Sequence, residues 1–402
     1  MTQNTKRLLT IINESTLGRE IIRGIHEYSR YHGEWELRME WDTDPRMVKG
    51  VRFAVHQWKA DGIIATVRNR VIWRIIKNSR LPAVNTSGLI EFDMPTVKSD
   101  NQAVGKAIAR HFLDCGHRNF AFSALTPDDF VVKRCEGFCR ELSNAGFDCD
   151  VFTDECSGTR EANWIRNLQR MDRWLLVLPK PVAIMCVYDL RGHEIASSCH
   201  HLGLRVPEDV SLAGCGNDDI MCPVCTPPLS SVDTDSKRIG YEAARLLDSL
   251  MGGKQSTAGP ILIPPRGLVV RQSSDIINID DCEIASAMRF IRNHANQPIS
   301  VKDILREVPI SRRAMERRFM KIIGRTPKAE IMRVHLERAQ NLLAQTDMPI
   351  PAVAKASGFA WPKMFSGFFR RKTGLTPTAY RRNSRIGGKA PDIEASANSA
   401  ST

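Results

Sequence analysis

Short apolar runs alternate with amphipathic stretches through the first 275 residues of the chain. The runs predict strands at 7–12, 36–41, 62–66, 83–85, 119–123, 182–187 and 210–213. The stretches at 18–31, 132–145 and 192–202 place apolar side chains at helical spacing and predict helices. Such alternation is typical of parallel sheets with crossover helices. We therefore expect an α/β fold of two lobes, which divide near Leu125, with the chain crossing back between Ser230 and Asp235.

The alternation ends after residue 252, where the chain becomes rich in Gly and Pro. Residues 261–270 predict a final edge strand with prolines at its turn positions. Beyond it the apolar spacing is helical only, and the last residues are mostly Gly, Ala and Ser. The expected segments are an α/β domain at 5–274, a linker at 275–282, an all-α domain at 283–385 and a disordered tail at 386–402.

A repeated motif organises the all-α domain. Gly324-Arg-Thr-Pro327 recurs fifty residues later as Gly374-Leu-Thr-Pro377, and each copy closes a basic helix. The matched apolar residues upstream are Met315 and Phe319 in the first copy and Phe365 and Phe369 in the second. Each pair is four residues apart and therefore lies on one helical face. Two such helices, apolar inside and basic outside, are suited to two successive major grooves of DNA.

The remaining helical signals place these two units on one connecting helix. We expect a first helix at 284–295, helix starts at Ser300, Ser311 and Pro349, and the connecting helix at 328–343. The expected core comprises Ile304, Leu305, Met315, Phe319, Leu336, Leu342, Leu343, Val353, Phe359 and Phe365. A helix of about 16 residues spans about 24 Å, and the recognition helices project beyond its ends. The span suits half-sites about 34 Å apart.

Charge supports a nucleic-acid partner for the helical domain. From Cys282 to Ile386 there are 21 Lys and Arg against 7 Asp and Glu, a net of +14. The whole chain is +12, so the remainder carries −2. A concentrated positive charge releases counterions from DNA phosphates. The alternative is a solvated helical surface.

Cysteine usage and the N-terminus indicate a reducing compartment. The 11 cysteines show no regular framework, and residues 1–7 do not resemble a secretory leader. No apolar run approaches the roughly 20 residues of a membrane helix. Cys222-Pro-Val-Cys225 resembles half of a zinc site but lacks a second pair nearby. We expect a soluble cytoplasmic protein with no metal, no cofactor and no membrane contact.

Two sets of residues resemble known families. Residues 206–214, 229–233 and 134–145 resemble the effector domain of lac-repressor-type regulators, which is similar to periplasmic sugar-binding proteins. The C-terminal repeat resembles the AraC-type DNA-binding domain. Their fusion in this order resembles the xylose-operon activators. The resemblance implies a periplasmic-binding-protein-like effector domain of two α/β lobes, followed by an all-α domain with two helix-turn-helix units.

The effector family implies a sugar site between the lobes, where Asp, Asn and Arg satisfy the hydroxyl groups. The implied ligand-binding residues are Arg134, Asp189, Arg191, Asn217, Asp218 and Asn13. The sequence departs from the family at Tyr188, where Asn is usual, and at Gly216, where Asp is usual. A pentose is the first expectation. A different sugar, or a sugar acid that uses Arg134 and Arg191, is the alternative.

The DNA-binding family implies base contacts from the outward positions of both recognition helices. The implied residues are Arg312, Arg313, Glu316 and Arg317 in the first helix and Trp361, Pro362, Lys363, Met364 and Ser366 in the second, with Arg370 on phosphate. Arginine can pair with guanine, and glutamate can accept from a cytosine amino group. Because Gly367 stands where the family has Arg, we expect more apolar contacts from the second helix, such as Met364 against a thymine methyl.

The leading hypothesis is a ligand-responsive, sequence-specific transcription regulator that activates a carbohydrate-catabolic operon. Its expected partners are double-stranded DNA with two half-sites per DNA-binding domain, a sugar effector, RNA polymerase and a second copy of the chain. The alternative is a ligand-binding protein with a nonspecific nucleic-acid-binding basic domain. An enzyme is disfavoured because the chain has no Gly-x-Gly-x-x-Gly, Walker or Gly-x-Ser-x-Gly motif.

Overall fold

The first lobe of the protein, in a computed structural model, is built on a parallel sheet. The structure describes residues 5–41, 44, 46–90, 92–124, 128–154, 160–254, 259–279, 281–359 and 362–385. The strands are β1 (Lys6–Ile12), β2 (Trp35–Trp41), β3 (Gly62–Ala65) and β4 (Ala83–Asn85), in the order β2-β1-β3-β4. Between them lie α1 (Thr16–His32), α2 (Met47–His56) and α3 (Arg70–Ser79). Apolar clusters on both faces of the sheet bury Leu8 and Ile12 on one side and Leu9 and Ile11 on the other.

The second lobe is built on a larger sheet in the order β12-β10-β9-β8-β6-β7. A separate parallel pair in the first lobe joins β5 (Val97–Ser99) to β11 (Ile261–Ile263). The strands of the larger sheet are β6 (Asn119–Ala124), β7 (Asp150–Thr153), β8 (Val182–Cys186), β9 (Val210–Cys215), β10 (Ser230–Asp233) and β12 (Gly267–Val269). The helices of the second lobe are α4 (Asn101–Asp114), α5 (Asp129–Asn144), α6 (Arg160–Val177), α7 (Asp189–His201) and α8 (Met221–Val224), with a short 3-10 turn at Gln272–Ser274. The next helix, α9 (Ser236–Met251), belongs to the first lobe.

The chain crosses between the lobes three times. The first crossing lies between β5 and α4, because α4 packs against α5 of the second lobe. The expected division near Leu125 was therefore wrong by one helix and one strand, α4 and β6. The second crossing follows β10 and confirms the expected return between Ser230 and Asp235, since α9 packs against α1. Residues 261–270 were expected to form one strand, which was also wrong: they form β11 and β12 in different sheets, separated at Pro264 and Pro265.

Close backbone contact seals α1 against α9. A β-carbon at Gly24 would lie 1.9 Å from the carbonyl oxygen of Lys237, and one at Gly240 would lie 1.9 Å from that of Ile21. Only glycine permits the two helices to approach this closely. α9, the last helix of the first lobe in chain order, therefore completes the helical layer that contains α1.

After the second lobe, the described residues form helices joined by short loops. The helices are α10 (Cys282–Asn293), α11 (Val301–Glu307), α12 (Arg312–Ile323), α13 (Pro327–Gln345), α14 (Ile350–Ala356), α15 (Pro362–Thr373) and α16 (Pro377–Arg385). One apolar cluster surrounds Met315 and Phe319, and a second surrounds Phe365 and Phe369. All ten residues expected in the core belong to these two clusters, which confirms that prediction. None of the helices in the described ranges is long and apolar enough to cross a membrane, and the expected disordered tail lies outside those ranges.

Candidate effector cleft and DNA-binding surface

Loops at the carboxyl ends of the strands bring the two lobes together. The Thr16 hydroxyl, in the first turn after β1, donates to an Asp219 carboxylate oxygen at 3.0 Å after β9. The Phe130 amide of the second lobe donates to the Gly88 carbonyl of the first lobe at 3.0 Å. Crevices at the carboxyl ends of parallel strands are where α/β proteins bind ligands. The interlobe cleft is therefore the candidate effector site.

Arg134 lies on α5 at this cleft and is only 6% exposed. Its Nε donates to Asn101 Oδ1 at 2.9 Å, and its Nη1 donates to the Val187 carbonyl at 2.5 Å. The guanidinium carbon lies 5.0 Å from the centre of the Phe130 ring. These contacts fix one orientation of the guanidinium group, as a preorganised binding residue requires.

Asp189 provides the buried carboxylate of the second lobe. Its Oδ2 accepts from the Asp218 amide at 2.8 Å, and its Oδ1 accepts from the Ser231 hydroxyl at 2.5 Å. Burial raises the pKa of Asp189, although both hydrogen bonds oppose that effect. A β-carbon at Gly214 would lie 2.3 Å from Asp189 Oδ1, and one at Gly216 would lie 3.1 Å from Oδ2. Gly216 also has a φ of 129°, which favours glycine. A side chain at position 216 would therefore meet both an unfavourable backbone conformation and the Asp189 carboxylate.

The other residues expected in the cleft are engaged in local hydrogen bonds. Asn217, with a φ of 51°, accepts from Arg271 Nη2 at 2.8 Å through its side-chain oxygen. Asp218 Oδ1 accepts from the amides of Ile220 and Met221 and so caps α8. The side-chain oxygen of Asn13 accepts from the Ser15 hydroxyl at 2.5 Å. The structure brings Asp189 and Asp218 into direct contact, whereas Asn13 lies on the first lobe.

Arg191 is bound to other side chains of the second lobe. Its Nη2 lies 2.8 Å from Asp154 Oδ1 and its Nη1 lies 2.9 Å from Glu194, while Nε donates to Ser123 Oγ. The side chain is 3% exposed and lines a groove of about 530 Å³ between α6 and α7. Burial raises the pKa of Asp154 despite the adjacent guanidinium group. Arg191 therefore stabilises the edge of the second sheet in this structure.

Sequence reasoning missed three polar residues at the cleft. Asn85 ends β4 and Ser87 follows it; both are buried and line a cavity of about 340 Å³ in the first lobe. Asn101 begins α4 and binds Arg134. Their position in the sequence could have revealed them. Asn85-Thr86-Ser87 lies at the carboxyl end of a predicted parallel strand, where ligands are usually bound.

The first recognition helix, α12, separates buried from exposed residues cleanly. The Ser311 hydroxyl accepts from the Ala314 amide and begins the helix, while Met315 and Phe319 are fully buried. The residues expected to reach DNA, Arg312, Arg313, Glu316 and Arg317, are all exposed. Arg312 Nε lies 2.9 Å from Glu316 Oε1, so these two side chains support each other along the helix. By contrast, Arg318 turns inward and binds Asp281 and Glu283.

The second recognition helix, α15, repeats this arrangement with four charged residues where α12 has six. Phe365 and Phe369 are fully buried, and Met364 is 71% exposed. Ser366 and Arg370 are also exposed. No atom lies within 4 Å of the β-carbon position of Gly367. Of the other residues expected to contact DNA, Trp361 lies outside the described residues, as do the side chains of Pro362 and Lys363.

The two units share their connecting helix and their closing motifs. Gly324 and Gly374 have φ values of 76° and 77°, and Thr326 and Thr376 accept from the amides three residues later at 3.2 Å. α13 contributes to both apolar clusters and contains 19 residues, so it is about 28 Å long at 1.5 Å per residue. The predicted tandem arrangement of two similar helix-turn-helix units is thereby confirmed.

Comparison with known families gives the class of the protein. Residues 109–274 match the family described as Periplasmic binding protein-like domain, and residues 304–383 match the Helix-turn-helix domain. The chain is therefore a DNA-binding transcription regulator rather than an enzyme, with a sugar-binding-protein-like effector domain ahead of an AraC-type DNA-binding domain.

Individual relatives share the whole arrangement. The Xylose operon regulatory protein of Escherichia coli K12 is 29% identical over 90% of this chain and 93% of its own length. That of Haemophilus influenzae is 26% identical over 95% of this chain and 100% of its own length. The solved structure of the xylose-binding transcription activator xylR has 27% identity and a TM-score of 0.61, and covers 95% of this chain and 99% of that one. The chain is thus similar over nearly its whole length to xylose operon regulatory proteins.

Proposed function

We propose that the protein activates a carbohydrate-catabolic operon in response to a sugar, with a pentose as the effector. The observation that carries this proposal is the pairing of two apolar-anchored recognition helices on α13 with a two-lobe cleft that contains the fixed guanidinium of Arg134. The names of the relatives support the choice of sugar, since one is a xylose-binding activator and two are xylose operon regulators. D-xylose is accordingly the first effector to test.

In this proposal the effector domain spans 5–274, the linker 275–282 and the DNA-binding domain 283–385. Arg134, Asp189, Asn217, Asp218 and Asn13 form the ligand site, and Arg191 supports it from the second lobe. Ligand binding closes the lobes, and closure shifts the population of regulator arrangements. The regulator acts in the cytoplasm as a homodimer that contacts RNA polymerase.

Thermal unfolding against a panel of pentoses, hexoses, deoxy-sugars and sugar acids tests the effector. A ligand that binds only the folded state raises the midpoint by mass action. We expect a rise with D-xylose that is lost in Arg134→Leu. A panel in which no compound raises the midpoint would contradict a sugar effector.

DNA recognition is tested with a duplex selected from a random-sequence library by the wild-type protein. If α12 reads base edges, Arg313→Ala and Arg317→Ala should each reduce the discrimination between base pairs at one position by about 1–3 kcal/mol. Arg306→Ala is the matched control, because Arg306 is exposed on α11, outside the recognition helix. If both recognition variants change only the salt dependence, equally for all sequences, the nonspecific alternative is correct.

A further inference from the structure

One helix connects the effector cleft to the DNA-binding domain. α4 starts at Asn101, directly after the first crossing between the lobes, and ends at Asp114 against the helical domain. Its 14 residues span about 21 Å at 1.5 Å per residue. The two ends of α4 therefore lie at two sites that the proposed function requires to communicate.

The N-terminal end of α4 is bonded to both the cleft and the crossing strands. The Asn101 side chain, which is 7% exposed, accepts from Arg134 Nε. The backbone amide of Asp100 donates to the Ile263 carbonyl at 2.8 Å, on the segment that makes the third crossing. A change in the position of Arg134 or of Ile263 at the end of β11 therefore acts directly on the start of α4.

Close packing makes α4 and α5 one mechanical unit. A β-carbon at Gly105 would lie 2.1 Å from the Arg134 carbonyl oxygen, and one at Gly137 would lie 2.2 Å from that of Gln102. Interfaces packed this tightly do not deform gradually. A displacement at Arg134 is consequently carried along the whole length of α4.

The C-terminal end of α4 holds the DNA-binding domain through Asp114. This carboxylate binds both Arg325 and Arg333, with Oδ2 at 3.2 Å from Arg333 Nη1. Both arginines also bind Glu330, whose side chain is fully buried. Burial alone would raise the pKa of Glu330, but the two guanidinium groups lower it below its usual value. The charges of this cluster are thus shared between the two domains.

Cys115, the next residue, is buried in the same junction. The Cys115 carbonyl accepts from the Asn278 amide at 2.7 Å, and its sulfur lies 3.4 Å from Arg292 Nη2 of α10. Burial would raise the pKa of this thiol, but His111 and Arg292 outweigh it and lower the pKa to about 7. The thiol is 0% exposed, so a reagent reaches it only when the junction opens.

A second contact joins the DNA-binding domain to the crossing segments themselves. A β-carbon at Gly267 would lie 3.7 Å from the side-chain oxygen of Asn341 on α13. Burial raises the pKa of Tyr380 on α16, and the nearby Asp235 adds to the effect. Asp235 binds Arg266 at 2.9 Å across the second and third crossings. The helical domain therefore rests on the parts of the chain that must bend when the lobes close.

We propose that α4 positions the DNA-binding domain on the second lobe and that Asp114 is the residue through which lobe closure reaches α13. This proposal rests on the proposed function for its effector. Asp114 acts on the orientation of the recognition helices and does not touch DNA or sugar. Its loss is expected to uncouple the two sites while each still binds its own ligand.

The first experiment requires no effector. The full-length protein is treated with N-ethylmaleimide, and the alkylation rate of Cys115 is compared with that of the exposed Cys282 by peptide mass spectrometry. Asp114→Asn is expected to raise the rate of Cys115 toward that of Cys282, and Asp114→Glu is expected to restore protection. Glu141→Gln is the control, because Glu141 binds Arg110 and Lys106 within the lobe. An unchanged Cys115 rate in Asp114→Asn, with the fold intact by circular dichroism, would overturn the proposal.

The second experiment measures coupling. Affinity for the library-selected duplex is determined with and without D-xylose, and sugar affinity is determined by calorimetry. The wild-type protein and Glu141→Gln are expected to show a sugar effect of about fivefold or more, which Asp114→Asn loses while its sugar affinity is retained. A full sugar effect in Asp114→Asn refutes transmission through Asp114. Absence of any sugar effect in the wild-type protein counts against the effector assignment, and the alkylation result then decides the positioning role by itself.

Discussion

Gly367 offers a quantitative test of the second recognition helix. It lies in the interior of α15, three residues after the exposed Met364 and four before the exposed Arg371. Its β-carbon position has no neighbour within 4 Å, so an added side chain meets no obstacle. Glycine in a helix interior is about 0.8–1.0 kcal/mol less favourable than alanine. Gly367→Ala should therefore stabilise the DNA-binding domain by about that amount.

Gly367→Arg adds a positive charge to the same open position. The helix propensity of arginine is close to that of alanine, so Gly367→Arg should stabilise the domain about as much as Gly367→Ala. If the new guanidinium contacts a phosphate, the logarithm of DNA affinity should fall more steeply with the logarithm of salt concentration, by about 0.9. Gly367→Ala separates the two effects, because it changes propensity alone.

Urea unfolding measures the stability of both variants, and fluorescence anisotropy between about 50 and 200 mM salt measures the slope. Ser143→Arg is the charge control, since Ser143 is exposed at the end of α5 in the effector domain. A loss of stability in Gly367→Ala would show that α15 is not an unobstructed helix at this position. A slope for Gly367→Arg equal to that of Ser143→Arg would refute the assignment of this face to DNA.

Three further outcomes are expected. Phe369→Ala should cost about 3–5 kcal/mol in urea unfolding, because the ring is fully buried, and Phe369→Leu should cost less. Met364→Ala should weaken specific DNA binding in anisotropy without changing the thermal midpoint, because Met364 is exposed. Burial raises the pKa of Asp235 to about 6, so its ionisation destabilises the fold as pH rises from about 4 through 6. Over that pH range the urea midpoint of Asp235→Asn should fall less than that of the wild-type protein. An equal fall in both proteins would contradict Asp235 as the source of the pH dependence.

Local signals predicted the elements whose determinants are local. The connecting helix, expected at 328–343, was found at Pro327–Gln345, because Thr326 caps it and Pro327 suits its first turn. Strand β4 was found at the expected residues. The pairs Met315 with Phe319 and Phe365 with Phe369 were found buried, since helical spacing alone determines which face they occupy.

Features that depend on distant partners could not be read from the sequence. The first crossing was misplaced because the assignment of α4 to the second lobe depends on its packing against α5 and the larger sheet. The guanidinium group of Arg191 is held by Asp154, 37 residues away. Gly216 departs from the family pattern, and only the structure shows its positive φ and the Asp189 carboxylate beside it. In each case the deciding contact lies outside any local window.

The triple crossing also governs the order in which the protein can be completed during synthesis. The face of α1 that contains Ile21 and Ile25 is covered by α9, which begins at residue 236. A nascent chain that ends before α9 exposes this apolar face, so the first lobe is finished only after most of the second lobe has been made. The DNA-binding domain follows both. A truncated product is therefore expected to aggregate through its first lobe before it has acquired any recognition helix.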